Sequence, residues 1–192
     1  QLSGIYQGIR PEIGWNAGGG LHATYRKNGL NGSISADVFY TWFERQMIAD
    51  ADQSAGELWF YTRRGGDAWS AQIDVNQEIS RRLEVKASYR LNYATAYYMS
   101  PHRAMLNLAW KARKDRWMAD LTANYAGYKR LPSTLSNPAD YRMPGHSDHY
   151  ILLNAQLTYN LKRWSIYVGC ENIGDFYQNQ QVLSPDNPNS PY

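Results

Sequence analysis

The chain has 192 residues, a formal charge of +3, 19% charged and 14% aromatic residues, and one cysteine, Cys170. A lone cysteine excludes an intrachain disulfide, a CxxC redox pair and a cysteine zinc cluster. The basic residues are dispersed, which argues against a nucleic-acid groove. No window approaches the roughly 18 consecutive apolar residues that a membrane helix requires.

Taken in chain order, Gln1-Leu2-Ser3-Gly4 has neither the basic nor the apolar region of an export signal, so the chain is expected to be a mature form or an internal piece of a longer one. The first predicted strand runs from Trp15 to Tyr25 and contains Gly18, Gly19 and Gly20. These glycines predict a bend or a close approach of another segment rather than a phosphate loop, since no helical pattern follows. A short turn at Lys27-Asn28-Gly29-Leu30-Asn31 leads to a strand from Ile34 to Trp42, and a long polar connection is expected from Glu44 to Ala68. Trp69, Ala71, Ile73 and Val75 then alternate with Ser70, Gln72, Asp74 and Asn76.

After a turn at Ser80-Arg81-Arg82, the segment Leu83 to Tyr93 alternates strictly, with Leu, Val, Ala, Tyr, Leu and Tyr on one face and Glu, Lys, Ser, Arg and Asn on the other. Its length matches the roughly 9 to 11 residues with which a tilted strand crosses a bilayer. A connection from Ala94 to His102 precedes a strand from Leu106 to Trp110, and a turn at Ala112-Arg113-Lys114-Asp115 precedes one from Trp117 to Tyr125. Gly127 to His149 reads as a third long loop, Ile151 to Tyr159 as a strand, Leu161-Lys162-Arg163 as a turn, and Trp164 to Cys170 as the last strand before a tail.

These elements predict an all-β fold: an antiparallel transmembrane β-barrel segment of about eight strands, with short periplasmic turns and long extracellular loops. Such strands are apolar only at every second position, so the average hydropathy looks soluble. The apolar stripes require a lipid or protein cover, expected to be outer-membrane lipid, and the asymmetry of turns and loops places the chain in the cell outer membrane. Trp69, Tyr93, Trp110, Trp117, Tyr125 and Trp164 suit the two aromatic girdles. Asp37, Glu78, Asp120, Glu171, Arg26, Lys86, Arg90 and Lys111 fall opposite the apolar stripes, as a hydrated lumen would need.

No catalytic residue, metal set or cofactor is assigned. Ser, His and Asp occur without a Gly-x-Ser-x-Gly elbow, and His22 and His102 lack an acidic partner at a recognisable spacing. The candidate ligand-binding residues lie in the loops: Trp59 and Tyr61 in the first, Tyr97 and Tyr98 in the second, and Tyr141, His146 and His149 in the third. Aromatic loop tips recognise apolar or planar ligands, and imidazoles suit a metal chelate or heme. The plainer account of the same residues is self-packing of long loops and a solvated loop end.

Four stretches resemble the C-terminal half of the barrel of TonB-dependent outer-membrane receptors, particularly of the Bacteroidetes type: Pro11 to Gly18, Asp37 to Phe43 followed by Gln46, His102 to Leu108, and Trp164 to Gln178, in which a strand ends in Glu171-Asn172. A polar loop, Ser184-Pro185-Asp186-Asn187-Pro188, follows that strand. The resemblance implies a 22-stranded barrel filled by an N-terminal plug that contacts TonB. On that reading residues 1–192 are a partial barrel domain, with the plug and the closing strand outside it. It further implies capture of a scarce extracellular nutrient and TonB-energised import, a metal-siderophore leading and cobalamin, heme, glycan or peptide remaining open. The alternatives are a complete eight-stranded barrel with a structural or adhesion role, an outer-membrane enzyme, and a soluble ligand-binding barrel.

Overall fold

The computed structural model describes residues 3–54, 57–94, 99–135 and 139–177. Among them the strands are β1 (Ser3–Gln7), β2 (Ile13–Lys27), β3 (Leu30–Ser54), β4 (Glu57–Arg64), β5 (Asp67–Ser80), β6 (Leu83–Ala94), β7 (His102–Lys111), β8 (Trp117–Ala126), β9 (Tyr150–Asn160) and β10 (Ser165–Cys170). They form one sheet in which β2, β3, β5, β6, β7, β8, β9 and β10 pair as successive antiparallel neighbours. These are the eight strands read from the alternation. No helix is long and apolar enough to cross a membrane.

One turn shows how locally the register is fixed. Asn28 and Gly29 adopt φ of 53° and 78°, and Lys27 pairs with Leu30, so Asn-Gly occupies both left-handed positions of a two-residue hairpin. Because the side-chain period is two, pinning that pair fixes which residues of β2 and β3 share a face.

The outward face carries Val38, Tyr40 and Trp42 of β3, Trp69 and Ile73 of β5, Tyr89 and Tyr93 of β6, and Leu121 of β8, all exposed in this chain. Leu21 is 80% exposed, whereas buried hydrophobics among the described residues are confined to Ile48, Ala51 and Leu131. The apolar surface thus lies outside the sheet, as lipid requires. Trp69 and Gln77 stand in the rows of Tyr40 and Gly32, and at about 3.3 Å per residue they are roughly 26 Å apart along β5. That is about the height of an apolar band. Aromatics collect at both ends of it: Trp69 stacks on Tyr93 at 6.2 Å, and Trp117 meets Tyr159 at 4.5 Å.

The expected loop from Glu44 to Ala68 is corrected. β3 continues through it to Ser54 and pairs with β4, so most of this stretch is a hairpin extending beyond the apolar band. Alternation is lost there because the hairpin lies beyond the lipid-facing band, while the backbone ladder persists and Gln46, Ile48 and Ala51 are buried within it. A bulge marks the change: Gly14 pairs with Phe43 but Ile13 pairs with Arg45, leaving Glu44 extra. Opposite it, Gly65 and Gly66 break the strand at φ of 73° and 149°, and are held by Phe43 N–H to the Gly66 carbonyl at 2.8 Å and Gly65 N–H to the Glu44 carbonyl at 3.0 Å. A Cβ on Gly66 would lie 2.5 Å from Oε1 of Gln46, whose side chain is fully buried. β1 was not anticipated either; it runs parallel to β4, with Tyr6 stacked on Phe60 at 4.9 Å.

Among the described residues no ladder joins β2 to β10, so the sheet is open and the pairing that a closed eight-stranded barrel would need is not formed. Leu121→Arg, on the outward face midway along β8, should destabilise the full receptor in lipid vesicles by about 2–4 kcal/mol. Gln156→Arg, on the opposite face of β9, should cost less than about 1 kcal/mol. Urea titration with a gel-mobility readout of folding checks both.

Candidate functional site

The inward face is polar and internally bonded. Asn16 donates to Thr41 at 2.7 Å, Asn107 to Thr122 at 2.8 Å, Gln156 to Thr158 at 3.2 Å, and Gln72 to both carboxylate oxygens of Asp74 at 2.9 and 3.0 Å. The glycine run of β2 serves this face. A Cβ on Gly18 would lie 2.2 Å from the Phe39 ring and one on Gly20 would lie 2.0 Å from the Asp37 carboxylate, while Gly19, facing outward, meets nothing. The expected close approach therefore comes from side chains of the adjacent strand.

At the end of the sheet opposite the short turns, the 127–149 loop folds on itself. Arg130 and His146 form an isolated bridge, Leu131 N–H donates to the Gly145 carbonyl at 2.9 Å, and Thr134 Oγ1 accepts from Met143 N–H at 2.8 Å. This loop then reaches β3. The Arg130 guanidinium pairs with the Asp52 carboxylate, which also accepts from Ser133 N–H at 2.8 Å. β5, β6 and β7 lie between β3 and β8 in the sheet, so a loop leaving β8 is tied to a strand four staves away.

Of the residues expected to meet a ligand, Trp59 and Tyr61 occupy alternate positions on β4, opposite Asp50 and Ile48, and both are half-buried. The Trp59 Nε1 is buried and has no hydrogen-bond partner. His146 is exposed, with its ring edge-on to Tyr128 at 5.6 Å, and His149 lies 6.1 Å from Tyr125, a residue of the outward rows. His102 starts β7 and its Nδ1 shares a 2.7 Å hydrogen bond with the Tyr89 hydroxyl. Tyr141 closes a short 3-10 turn, Ala139–Tyr141, and its side chain lies outside the description. Tyr97 and Tyr98 lie outside the described residues. Among the described residues no three His, Cys, Asp or Glu side chains gather to hold a metal.

The sequence reading missed a cavity of about 440 Å³ on the inward face near the loop end, lined by Gln72, Ser88, Arg90, Arg103, Asn124 and Lys129 among others. Arg90 was recognisable as inward-facing. That Arg103 stands directly across from it, and that Lys129 of the folded loop joins them, depends on strand register and loop path.

The segment after β10 explains its distinctive residues. Asn172, at φ 49°, donates through Nδ2 to the Phe176 carbonyl at 2.8 Å and accepts on Oδ1 from Phe176 N–H at 3.1 Å. Its own N–H donates to Asn154 Oδ1 at 2.9 Å, and Phe176 stacks on Tyr150 at 4.7 Å. An asparagine in this position closes a compact loop and anchors it to β9.

The sequence matches the family model described as TonB dependent receptor-like, beta-barrel, over residues 1–173. No curated protein matches it. Similar solved structures include a mutant of the ferric enterobactin receptor of Pseudomonas aeruginosa, with a TM-score of 0.60, 14% identity, and coverage of 88% of this chain and 26% of that one. P. aeruginosa FpvA bound to a heterologous pyoverdine gives a TM-score of 0.58 at 16% identity, covering 88% and 24%. The FrpB iron transporter of Neisseria meningitidis gives 0.57 at 9%, covering 90% and 28%. At such identities the likeness establishes the fold, and the chain spans about a quarter of each of these structures.

Asp52→Ala would leave Arg130 and the Ser133 N–H without this acceptor. With the Arg130 side chain 58% exposed, the expected cost is about 1 kcal/mol. Hydrogen exchange in the 127–149 loop of the full receptor should accelerate roughly fivefold, with β6 to β8 unchanged.

Proposed function

Because the chain belongs to the TonB-dependent receptor β-barrel family, we propose that it is part of the wall of a receptor that captures a metal-siderophore outside the cell and imports it to the periplasm with energy from TonB. The family consists of outer-membrane transport receptors, not enzymes. The observation that carries the siderophore reading is a polar inward face ending in a folded mouth, on the same fold as receptors and transporters for ferric enterobactin, pyoverdine and iron.

In this mechanism the 127–149 loop, tied to β3 through Asp52, forms part of the mouth. Trp59 and Tyr61 offer aromatic faces there for a planar chelate, and Tyr141 and His146 of the folded loop are the further candidates, whereas His149 sits against Tyr125 of the outward rows. Held by weak, distributed contacts, the chelate passes into a polar lumen that can hydrate it. Release would need the plug and TonB contact that the family resemblance implies for the parent.

The full receptor, expressed in a host lacking its own siderophore receptors, should accumulate radiolabelled iron supplied as ferric enterobactin or ferric pyoverdine, and deletion of TonB should abolish the accumulation. Accumulation that is equal with and without TonB, or no binding of any iron chelate, would overturn the reading. Trp59→Ala and Tyr61→Ala should each weaken chelate binding about tenfold, measured by fluorescence quenching.

A further inference from the structure

Charge is distributed unevenly between the two ends of the sheet. The connections at the mouth, residues 44–67 and 127–149, carry seven carboxylates and six Lys or Arg, a near balance. The four short turns at the opposite end, residues 27–30, 81–82, 112–116 and 161–163, carry eight cations and one carboxylate, that of Asp115. All eight cations are exposed. Three of these turns lie between β5 and β10, inside the described sheet, with the neighbouring hairpins in place beside them.

Backbone bonds join those three turns into one rim. Lys111 N–H donates to the Arg82 carbonyl at 2.8 Å, which fastens the turn after β5 to the end of β7. Asn160 reaches the next turn twice, its N–H donating to the Arg116 carbonyl and its Nδ2 to the Asp115 carbonyl, each at 2.8 Å. Leu161 N–H donates to the Trp164 carbonyl at 2.7 Å and closes the turn that holds Lys162 and Arg163. Successive strands stand about 4.8 Å apart, so the cations form a row rather than isolated charges. Lys114, in the middle of its turn, has a φ of 64°, a conformation that glycine or asparagine takes at less cost.

The row borders the lipid face. Leu83 pairs with Trp110, and Trp117 with Tyr159, in the last outward rows before the turns. Arg82 directly precedes Leu83, Arg116 precedes Trp117, and Arg163 precedes Trp164, which is 75% exposed. One residue spans about 3.3 Å, so each of these cations lies within a side chain's reach of the depth at which the lipid face ends. Lys and Arg stems run along apolar surface while their charged heads stay in water. Headgroup phosphates occupy that depth, and clustered Lys and Arg beside an interfacial aromatic belt are attracted to an anionic leaflet. Turns this short cannot carry the charges far from the membrane, which favours a headgroup over an acidic macromolecule in solution.

We propose that Arg82, Arg113, Lys114, Arg116, Lys162 and Arg163 form a cationic rim that binds the phosphates of anionic phospholipids in the periplasmic leaflet. These lipids then gather around this sector of the receptor, and the rim fixes the depth of the barrel together with the aromatic girdle. The proposal is independent of which nutrient the receptor imports.

The test uses the full receptor reconstituted in phosphatidylcholine vesicles with a trace of spin-labelled phosphatidylglycerol or spin-labelled phosphatidylcholine. The fraction of label immobilised at the protein surface is read from the spectrum. At low salt the parent should favour the phosphatidylglycerol label about threefold, and about 1 M salt should remove most of that preference. Replacing all six cations by Gln should abolish it, whereas Arg→Lys at the four arginines, which keeps the charge, should retain it. Arg64→Gln, which removes an exposed cation at the mouth, should leave the preference unchanged. Equal immobilisation of the two labels by the parent would overturn the rim, as would a preference that survives the six Gln substitutions. A lower melting temperature of the Gln variant in neutral detergent would also overturn it, because the cations would then serve carboxylates elsewhere in the receptor. Displacement of the phosphatidylglycerol label by soluble polyglutamate would assign the row to an acidic macromolecule instead.

Discussion

Inside a bilayer a backbone N–H or C=O has no water to turn to, and each one left unpaired costs several kcal/mol. The sheet answers this with antiparallel ladders running without a gap from β2 through β3 and β5 to β10. Every other property of the wall follows. Strands in such a ladder show one face to lipid and one to the lumen, so apolar and polar residues must alternate. Neighbours must be joined by tight turns on at least one side, as Asn28-Gly29 joins β2 to β3. Aromatic rings, being part apolar and part polar, settle where the lipid ends.

Above the apolar band the constraint relaxes, and the structure changes character at one row. Glu44 is an inserted residue on β3, Gly65 and Gly66 break the opposing strand, and buried Gln46 fills the space between. Beyond that bulge the hairpin of β3 and β4 is held by its own ladder and by β1 on β4, and it no longer needs a lipid-facing alternation. It becomes a support for the rim: Asp52 receives Arg130 and the Ser133 N–H from a loop that enters from β8. The polar inward face and its rim are thus assembled from strands far apart in sequence.

The cost of opposing Arg90 and Arg103 has to be set beside the satisfaction of the rest of the inward face. Asn107 has Thr122, Asn16 has Thr41, and Asp74 has Gln72. The pair has parallels on the same face, where Asn76 Oδ1 is buried without a hydrogen-bond partner among the described residues and Glu78 stands directly across from Glu84.

The strands, their faces, their short turns and their membrane setting were legible in the sequence, because alternation and turn chemistry are local: Leu83 to Tyr93 declares its two faces without reference to any neighbour, and Asn28-Gly29 declares its turn. The same locality explains the misreading of Glu44 to Ala68, where strands beyond the lipid-facing band carry no alternation and pairing leaves no composition signal. The resemblance of Trp164 to Gln178 to a receptor barrel was visible for a similar reason, since Asn172 acts on Phe176 four residues away. What only the tertiary structure decided are the juxtapositions across the sheet: Arg90 against Arg103, Asp52 against Arg130, Gly18 beneath Phe39. These depend on register and on the path of a long loop, which are set by the summed ladder and by packing at the rim rather than by any stretch of residues.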